Sequence, residues 1–533
     1  MHCLWLSRSA TVSPPTNDYV LRPMKSISLL SALALSGLSA HAQLDLVFQD
    51  NAANYDTDDV WITFDNGGGA TPFDVTYTNT TTGLQSVTFD SPGGITNHLT
   101  SSIKLSDVAN STFTINSVSS VAVFVSYGDA FSNLTASPSF FEGTPGANIS
   151  YQNFEITRTG GAGDQGNLTN INYFTAPMSI DSYSSDYMGG TTALQSTGFN
   201  QTTAQVANAL NAVSPTSAVT DGGALRRFVG PSSYTTNPPF PSFESYIDSV
   251  NVSGVTNDIQ NSNAFNTNGS DGTNGTNYNF TFELTSAVNS DGDIILTGDI
   301  TTQVKDNSSG VTSPGTTYTD ATITISGSDQ EKVDSIIYGQ TAVPSSLATQ
   351  VTYGSGWYDW AAFVQDPTNN LTNSFPVTGT PGSAENLANL TLTRTAIGEI
   401  TTAILMGFLG STTEIDGTAL DQMASYEWWQ IDPMQAFDEI QPTNPYYNEW
   451  AQVIFDATTN GAYSIPFSDR LGSGPLVNTV QFNKDGTSYD IDKWVVGFGD
   501  PITGAMIPEP STSAFLLAGA AAGLVMIRRR RNG

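Results

Sequence analysis

From Leu44 to about Gln195 the chain is a succession of short runs rich in Val, Ile, Phe, Tyr and Thr, broken by Gly, Asn and Pro. VWITFD (Val60 to Asp65), FDVTY (Phe73 to Tyr77) and VAVFVSY (Val121 to Tyr127) are examples. Side chains that alternate between two faces over so few residues can bury only one of those faces, and many such strands close on one another as a sandwich or open barrel. The spacing changes in the middle. TAQVANALNAV (Thr203 to Val213), FESYIDSV (Phe243 to Val250), residues 386–409 and the segment from Tyr446 to Ala457 carry helical periodicity. In the last of these Tyr447, Trp450, Ala451 and Ile454 share one face. Between them NFTFELTS, DIILTGDITTQV and ATITISG read as strands, so residues 196–460 are expected to form a mixed α/β domain. Residues 461–500 return to β, and the first part of the β domain is assigned to 43–195.

The two ends carry addresses. Met24 to Ala42 has a charged start at Lys25, an apolar run from Ile27 to Leu38 and the small-residue site Ala40-His41-Ala42. That is the order of a secretory signal, and residues 1–23 read as a start-site extension ahead of it. At the other end Pro508-Glu509-Pro510 precedes an apolar run from Ala514 to Ile527 and the arginines Arg528 to Arg531. The run is shorter than the roughly 20 residues of a spanning helix. Residues 501–533 are therefore read as a linker and a sorting tail, with transient membrane contact. The block resembles the PEP-CTERM signal of Gram-negative bacteria. That resemblance implies cleavage by an exosortase and a place at the cell surface or in exopolysaccharide.

Charge narrows the partners. Lys and Arg number 17 against 49 acids, a net charge of −32. Losing residues 1–42 removes three basic residues and one acid, giving −34. Such a surface repels nucleic acid and anionic lipid. The single cysteine, Cys3, and two of the three histidines, His2 and His41, precede the expected cleavage point, leaving His98. Disulfides and thiolate chemistry are thereby excluded from the mature chain, and carboxylates are the acid–base groups that remain. No cofactor and no metal is expected; SDGD from Ser290 to Asp293 lacks the spacing of a calcium loop.

The stretch from Phe124 to Met178 holds FVSYGDAF, then FEIT, then the loop TGGAGDQGN, then NINYFTAPM. It resembles the active-site hairpin of the β-1,3-glucanases of glycoside hydrolase family 64, relatives of thaumatin-like proteins. GGALRRF (Gly222 to Phe228), NPYYNEW and IPFSDRLGSG extend the resemblance as islands between residues 46 and 498. It implies a mainly β fold, a thaumatin-like barrel or sandwich plus a mixed α/β domain, flanking a wide cleft. By the same resemblance Glu155 would be the general acid of an inverting hydrolase, and Thr157 and Asp469 would contact sugar. The family's second carboxylate falls on Asn172, or on Thr175 if the NI-x-Y match is used. Neither is an acid. A hairpin centred near Gly163 and Asp164 would set Glu155 opposite Asn172. Asp164, Asp181 and Glu142 are the substitutes the sequence offers. Inversion needs one carboxylic acid and one carboxylate, and an amide has no useful basicity. Two readings follow: a secreted β-1,3-glucan hydrolase whose base is not placed, or a protein on the same frame that binds β-glucan or exopolysaccharide without cutting it. The clusters Trp357, Tyr358, Trp360 and Trp428, Trp429 read first as core and second as sugar platforms.

Overall fold

The computed structural model describes residues 43–66, 72–89, 98–132, 134, 137–161, 163–234, 238–243, 448–465 and 475–503, pieces between 405 and 420, Tyr338, and the backbone of strands between 256 and 358. The expected alternation appears as strands. They are β1 Leu44–Asp50, β2 Val60–Asp65, β3 Phe73–Asn79, β4 Val108–Tyr127, β5 Ser150–Arg158, β6 Gln165–Leu168, β7 Tyr173–Phe174, β8 Met178–Tyr183 and β9 Gln195–Phe199. Helix α1 follows over Thr203–Val213, and strand β10 over Ala224–Val229. Late in the chain come α2 Glu449–Asp456, β11 Thr458–Thr459, β12 Leu476–Asn478 and β13 Lys493–Phe498.

One sheet takes most of them, in the order β11, β9, β8, β13, β1, β4, β5, β6, β12, with β2 and β3 also paired to β4. A strand of 20 residues can serve so many partners because β4 bends. Its register slips between Val118 and Val121, and Ser120 sits at φ 49°. The Thr157 hydroxyl oxygen accepts from the Ser120 amide at 3.0 Å and holds this bulge, which is how a sheet is made to turn. The sheet curls until its ends meet. Gln195 of β9 accepts from the Asn478 amide at 2.9 Å and donates to the Leu476 carbonyl at 3.4 Å.

The inside of the curl is solid. Phe48, Phe64, Phe113, Phe154, Trp494 and Phe498 pack there with the Val and Ile of alternate positions. Trp494 reaches across to β6, where a Cβ on Gly166 would stand 2.8 Å from its ring, so the strand must carry glycine at that point. A smaller cluster of Leu99, Phe124, Phe131, Ile149, Tyr151 and Tyr173 lies on the outer face.

Helix α1 occupies the residues its periodicity predicted. Thr202 caps it and Gln205 returns the bond to the Thr202 amide, a capping box. Helix α2 is capped by Asn448 and buries Trp450, Ala451 and Ile454, three of the four positions of the stripe read from the sequence; the fourth, Tyr447, lies outside the described residues. The middle of the chain forms a second antiparallel sheet that includes Thr276–Val288, Ile294–Asp306 and Thr312–Ile325. Trp357 and Tyr358 lie in its short strand Gly356–Tyr358. FESYIDSV beyond Phe243, Trp360, Trp428, Trp429, SDGD, the signal and the sorting tail with Pro508, Glu509 and Pro510 lie outside the described residues.

Candidate functional site

Alternation on β5 sends Phe154 and Ile156 into the core and Glu155 out, onto the face that also carries Tyr151 and Asn153. The register across the sheet then decides its neighbours. Glu155 pairs with Ala122 of β4 on one side and Asn167 of β6 on the other, and Ala122 pairs with Asp65 of β2. Paired residues share a face, so Asp65, Ala122, Glu155 and Asn167 form one row.

This corrects the expected register. Glu155 faces Asn167 and not Asn172. The hairpin turns at Gly161 because the Asp164 carboxylate closes its loop early. One Asp164 oxygen accepts from the amides of Thr159, Gly160 at 2.8 Å and Gly161 at 3.0 Å, and the Thr159 hydroxyl donates to it as well. Beyond Leu168 the chain leaves this pairing: Thr169 bridges to Tyr463. Asn172 stands on an exposed bend, where its carbonyl accepts from the Gly230 amide at 2.8 Å and its side-chain oxygen lies 3.3 Å from the Ser233 hydroxyl. Thr175, the other anchor, is buried, with its amide donating to Gln152.

The other sequence candidates are separated from Glu155. Asp164 is committed to its loop. Asp181 lies on β8, four strand positions from β5 along the sheet. Glu142 stands exposed in the segment between β4 and β5. Thr157 shares the face of Glu155, but its oxygen is engaged by the Ser120 amide. Asp469 lies outside the described residues. His98 is half-buried, its carbonyl accepting from the Asn66 amide at 3.1 Å.

The chemistry of the row is unequal. The Glu155 carboxyl reaches solvent yet is crowded by protein at its sides, and this burial raises it above the ordinary carboxylate range. A side-chain hydrogen bond from Asn167 opposes that shift. Asn167 is 7% exposed, and its Oδ1 is buried with no hydrogen-bond partner. Asn153, next on the same face, accepts from the Tyr173 hydroxyl. Burial holds Tyr173 well above its usual range, so it remains a donor. Asp65 is two strand spacings from Glu155, about 10 Å between backbones. It is 3% exposed and receives the Ser137 hydroxyl, a contact that anchors the segment covering the outer cluster. Beneath that cluster Arg227 is buried against the Tyr151 ring at 4.2 Å, with its guanidinium donating to the carbonyls of Ser139 at 3.2 Å, Ala147 at 3.0 Å and Ile149.

A carboxyl that binds its proton more tightly when folded than when unfolded favours the fold at low pH and opposes it above the folded value. Replacing it with the neutral isostere removes that burden. Glu155→Gln is therefore expected to melt higher than the native chain at pH 7, with the difference vanishing below about pH 4, near the unfolded glutamate value. Calorimetry at the two pH values checks this.

Asn167 and Asp65 were not found from the sequence. A reading of Asp164 as the residue that closes the GGAGD loop would have set the register and exposed Asn167. Nothing local to VWITFD points to Glu155.

No protein-family profile matches the chain, and no curated protein matches it. Solved structures do. A β-1,3-glucanase domain of family 64 from Clostridium beijerinckii aligns at 14% identity and TM-score 0.42, over 86% of this chain and 98% of its own. A laminaripentaose-producing β-1,3-glucanase bound to laminaritetraose gives 15% identity, TM-score 0.42 and the same coverage. The laminaripentaose-producing enzyme of Paenibacillus barengoltzii with laminarihexaose gives 13%, 0.38, 88% and 79%.

Proposed function

We propose that this chain is an exported protein that holds β-1,3-glucan or a related exopolysaccharide along the Glu155 row, on a glucanase-like frame whose general-base position is filled by an amide. One observation carries this reading: the residue facing Glu155 is Asn167, which can orient a water but cannot take its proton. The choice of glucan rests on the sequence islands SYGDAF, FEIT, NINYFTAPM and GGALRRF. The row adds chemistry that suits a hydroxyl-rich ligand. Glu155 is kept toward its neutral, donating form, and Asn153 and Asn167 set amide side chains beside it on the same face.

Hydrolysis by the native chain would need Asp65 as base, at roughly the spacing that lets a water sit between two carboxyl groups. Asp65 is instead buried and bonded to Ser137. Wild-type turnover of laminarin is therefore expected near background. Turnover that Asp65→Asn abolishes would give the catalytic reading precedence.

Export follows from the signal at Met24 to Ala42, and release from the membrane from Pro508-Glu509-Pro510 and exosortase processing. Intact-mass measurement on protein from the native host is expected to lack Arg528 to Arg531. A species that keeps them would make the tail a plain anchor.

A further inference from the structure

A second polar site lies where β1 and β13 end. These strands run parallel, so their ends, Asp50 and Phe498, arrive together, and Phe498 also pairs with Met178 at the start of β8. Helix α1 begins at the same place. Between them is a cavity of about 360 Å³. Its apolar surface comes from Pro177 and Phe199, with the backbone of Met178 and Phe498, whose side chains turn into the core. Its polar groups converge over bare backbone. A Cβ placed on Gly497 would stand 2.5 Å from the Ser179 hydroxyl oxygen and 2.6 Å from Asn51 Nδ2, so those two groups meet above a residue with no side chain.

Hydrogen bonds fix what each amide presents. Asn51 Oδ1 accepts from Gln49 Nε2 at 3.2 Å, which leaves its donor end over Gly497. Asn200 Nδ2 donates to the Thr459 hydroxyl at 3.1 Å, and Gln201 Nε2 donates to the Asp456 carbonyl at 3.1 Å. Their carbonyl oxygens are the ends left over. The one carboxylate in the lining, Asp500, is already engaged. It accepts from the Asn54 amide at 2.8 Å, the Ala53 amide at 3.1 Å and Asn54 Nδ2 at 2.9 Å. Among the described residues no Lys, Arg or His lines the cavity.

We propose that this cavity binds a neutral polyhydroxyl ligand, a sugar of one or two rings. Each hydroxyl both donates and accepts, which matches a lining that holds a donor amide, a hydroxyl and two amide carbonyls. The C–H face of a sugar ring suits Phe199 and Pro177. An anion would find no cation here, and an apolar ligand would leave the amides buried and unpaired. The volume falls at the small end of ligand pockets, about 300–1,000 Å³. The proposal is independent of the Glu155 row, because no residue is shared between them.

Saturation-transfer NMR of the purified full chain with D-glucose, D-galactose and D-mannose, each titrated to saturation, tests it. At least one is expected to bind. Asn51→Ala and Gln201→Ala, both at solvent-reaching positions, should each weaken that binding roughly tenfold through one lost hydrogen bond, while Glu155→Gln leaves it unchanged. Three outcomes overturn the proposal: none of the sugars binds, affinity survives both cavity substitutions, or sulfate displaces the sugar. Loss of the signal in Glu155→Gln alone would also overturn it, and would assign the sugar to the Glu155 row instead.

Discussion

Asn167→Asp is expected to raise laminarin hydrolysis by about 10²–10⁴-fold over the native chain, the usual worth of a positioned general base. The substitution changes one amide to a carboxylate without altering size. It places that carboxylate across the strand pair from Glu155, whose carboxyl burial already raises. A second negative charge nearby raises Glu155 further, so one group stays protonated while the other is ionised. That division of roles is what glycoside cleavage requires. Glu155→Gln in the same background should remove the gain, since no acid would protonate the leaving oxygen. Asn172→Asp is the control. Its bend is exposed and bonded to Gly230, so no gain is expected. Asn167 touches Glu155 through a side-chain hydrogen bond, so the two carboxyls must part before either mechanism can run, and the anomeric configuration of the product reports how far: inversion if water enters between them, retention if they stop about 5 Å apart. Progress curves with reducing-end detection and NMR of the first products measure both. If Asn172→Asp gained activity and Asn167→Asp did not, Asn167 would not be the functional partner of Glu155.

The largest effect on stability is expected from Trp494→Ala. Trp494 is fully buried, lies against Gly166 across the sheet's interior, and donates from Nε1 to the Asn478 carbonyl at 2.9 Å. Removing the indole opens a cavity between β13 and β6 and leaves that carbonyl without its donor. Such truncations cost about 3–5 kcal/mol. Because β6 carries Asn167, the loss should also loosen the row that faces Glu155. Urea unfolding followed by far-UV circular dichroism checks the first expectation. A midpoint within error of the native chain would mean that the Trp494 contact does not support the curl.

What the sequence made legible follows from how local each cause is. Helix α1 was readable to its ends because its apolar spacing, the Thr202 cap and Gln205 all lie within a dozen residues. The strands Val60–Asp65 and Phe73–Asn79 were readable because alternation and punctuation are local as well. The partner of Glu155 was not, since hairpin register depends on how Asp164 folds back onto the amides of Thr159, Gly160 and Gly161. That side-chain bond moves the partner from residue 172 to residue 167. Asp65 was further out of reach, because β2 and β5 are joined only through β4, and the pairing order of a sheet is not written along any one strand. The cavity beside α1 gathers residues from both ends of the described chain, Asn51 and Asp500 among them, and no window of sequence contains it.

The claim on which the functional account stands is that the Glu155 row holds β-1,3-glucan without cutting it. Co-sedimentation of the purified protein with insoluble β-1,3-glucan at moderate salt measures this directly, with the supernatant assayed for released sugar. The protein is expected to be depleted from the supernatant, recovery to be restored in Glu155→Ala, and released sugar to stay at background. Equal recovery of the native protein with and without glucan would contradict it.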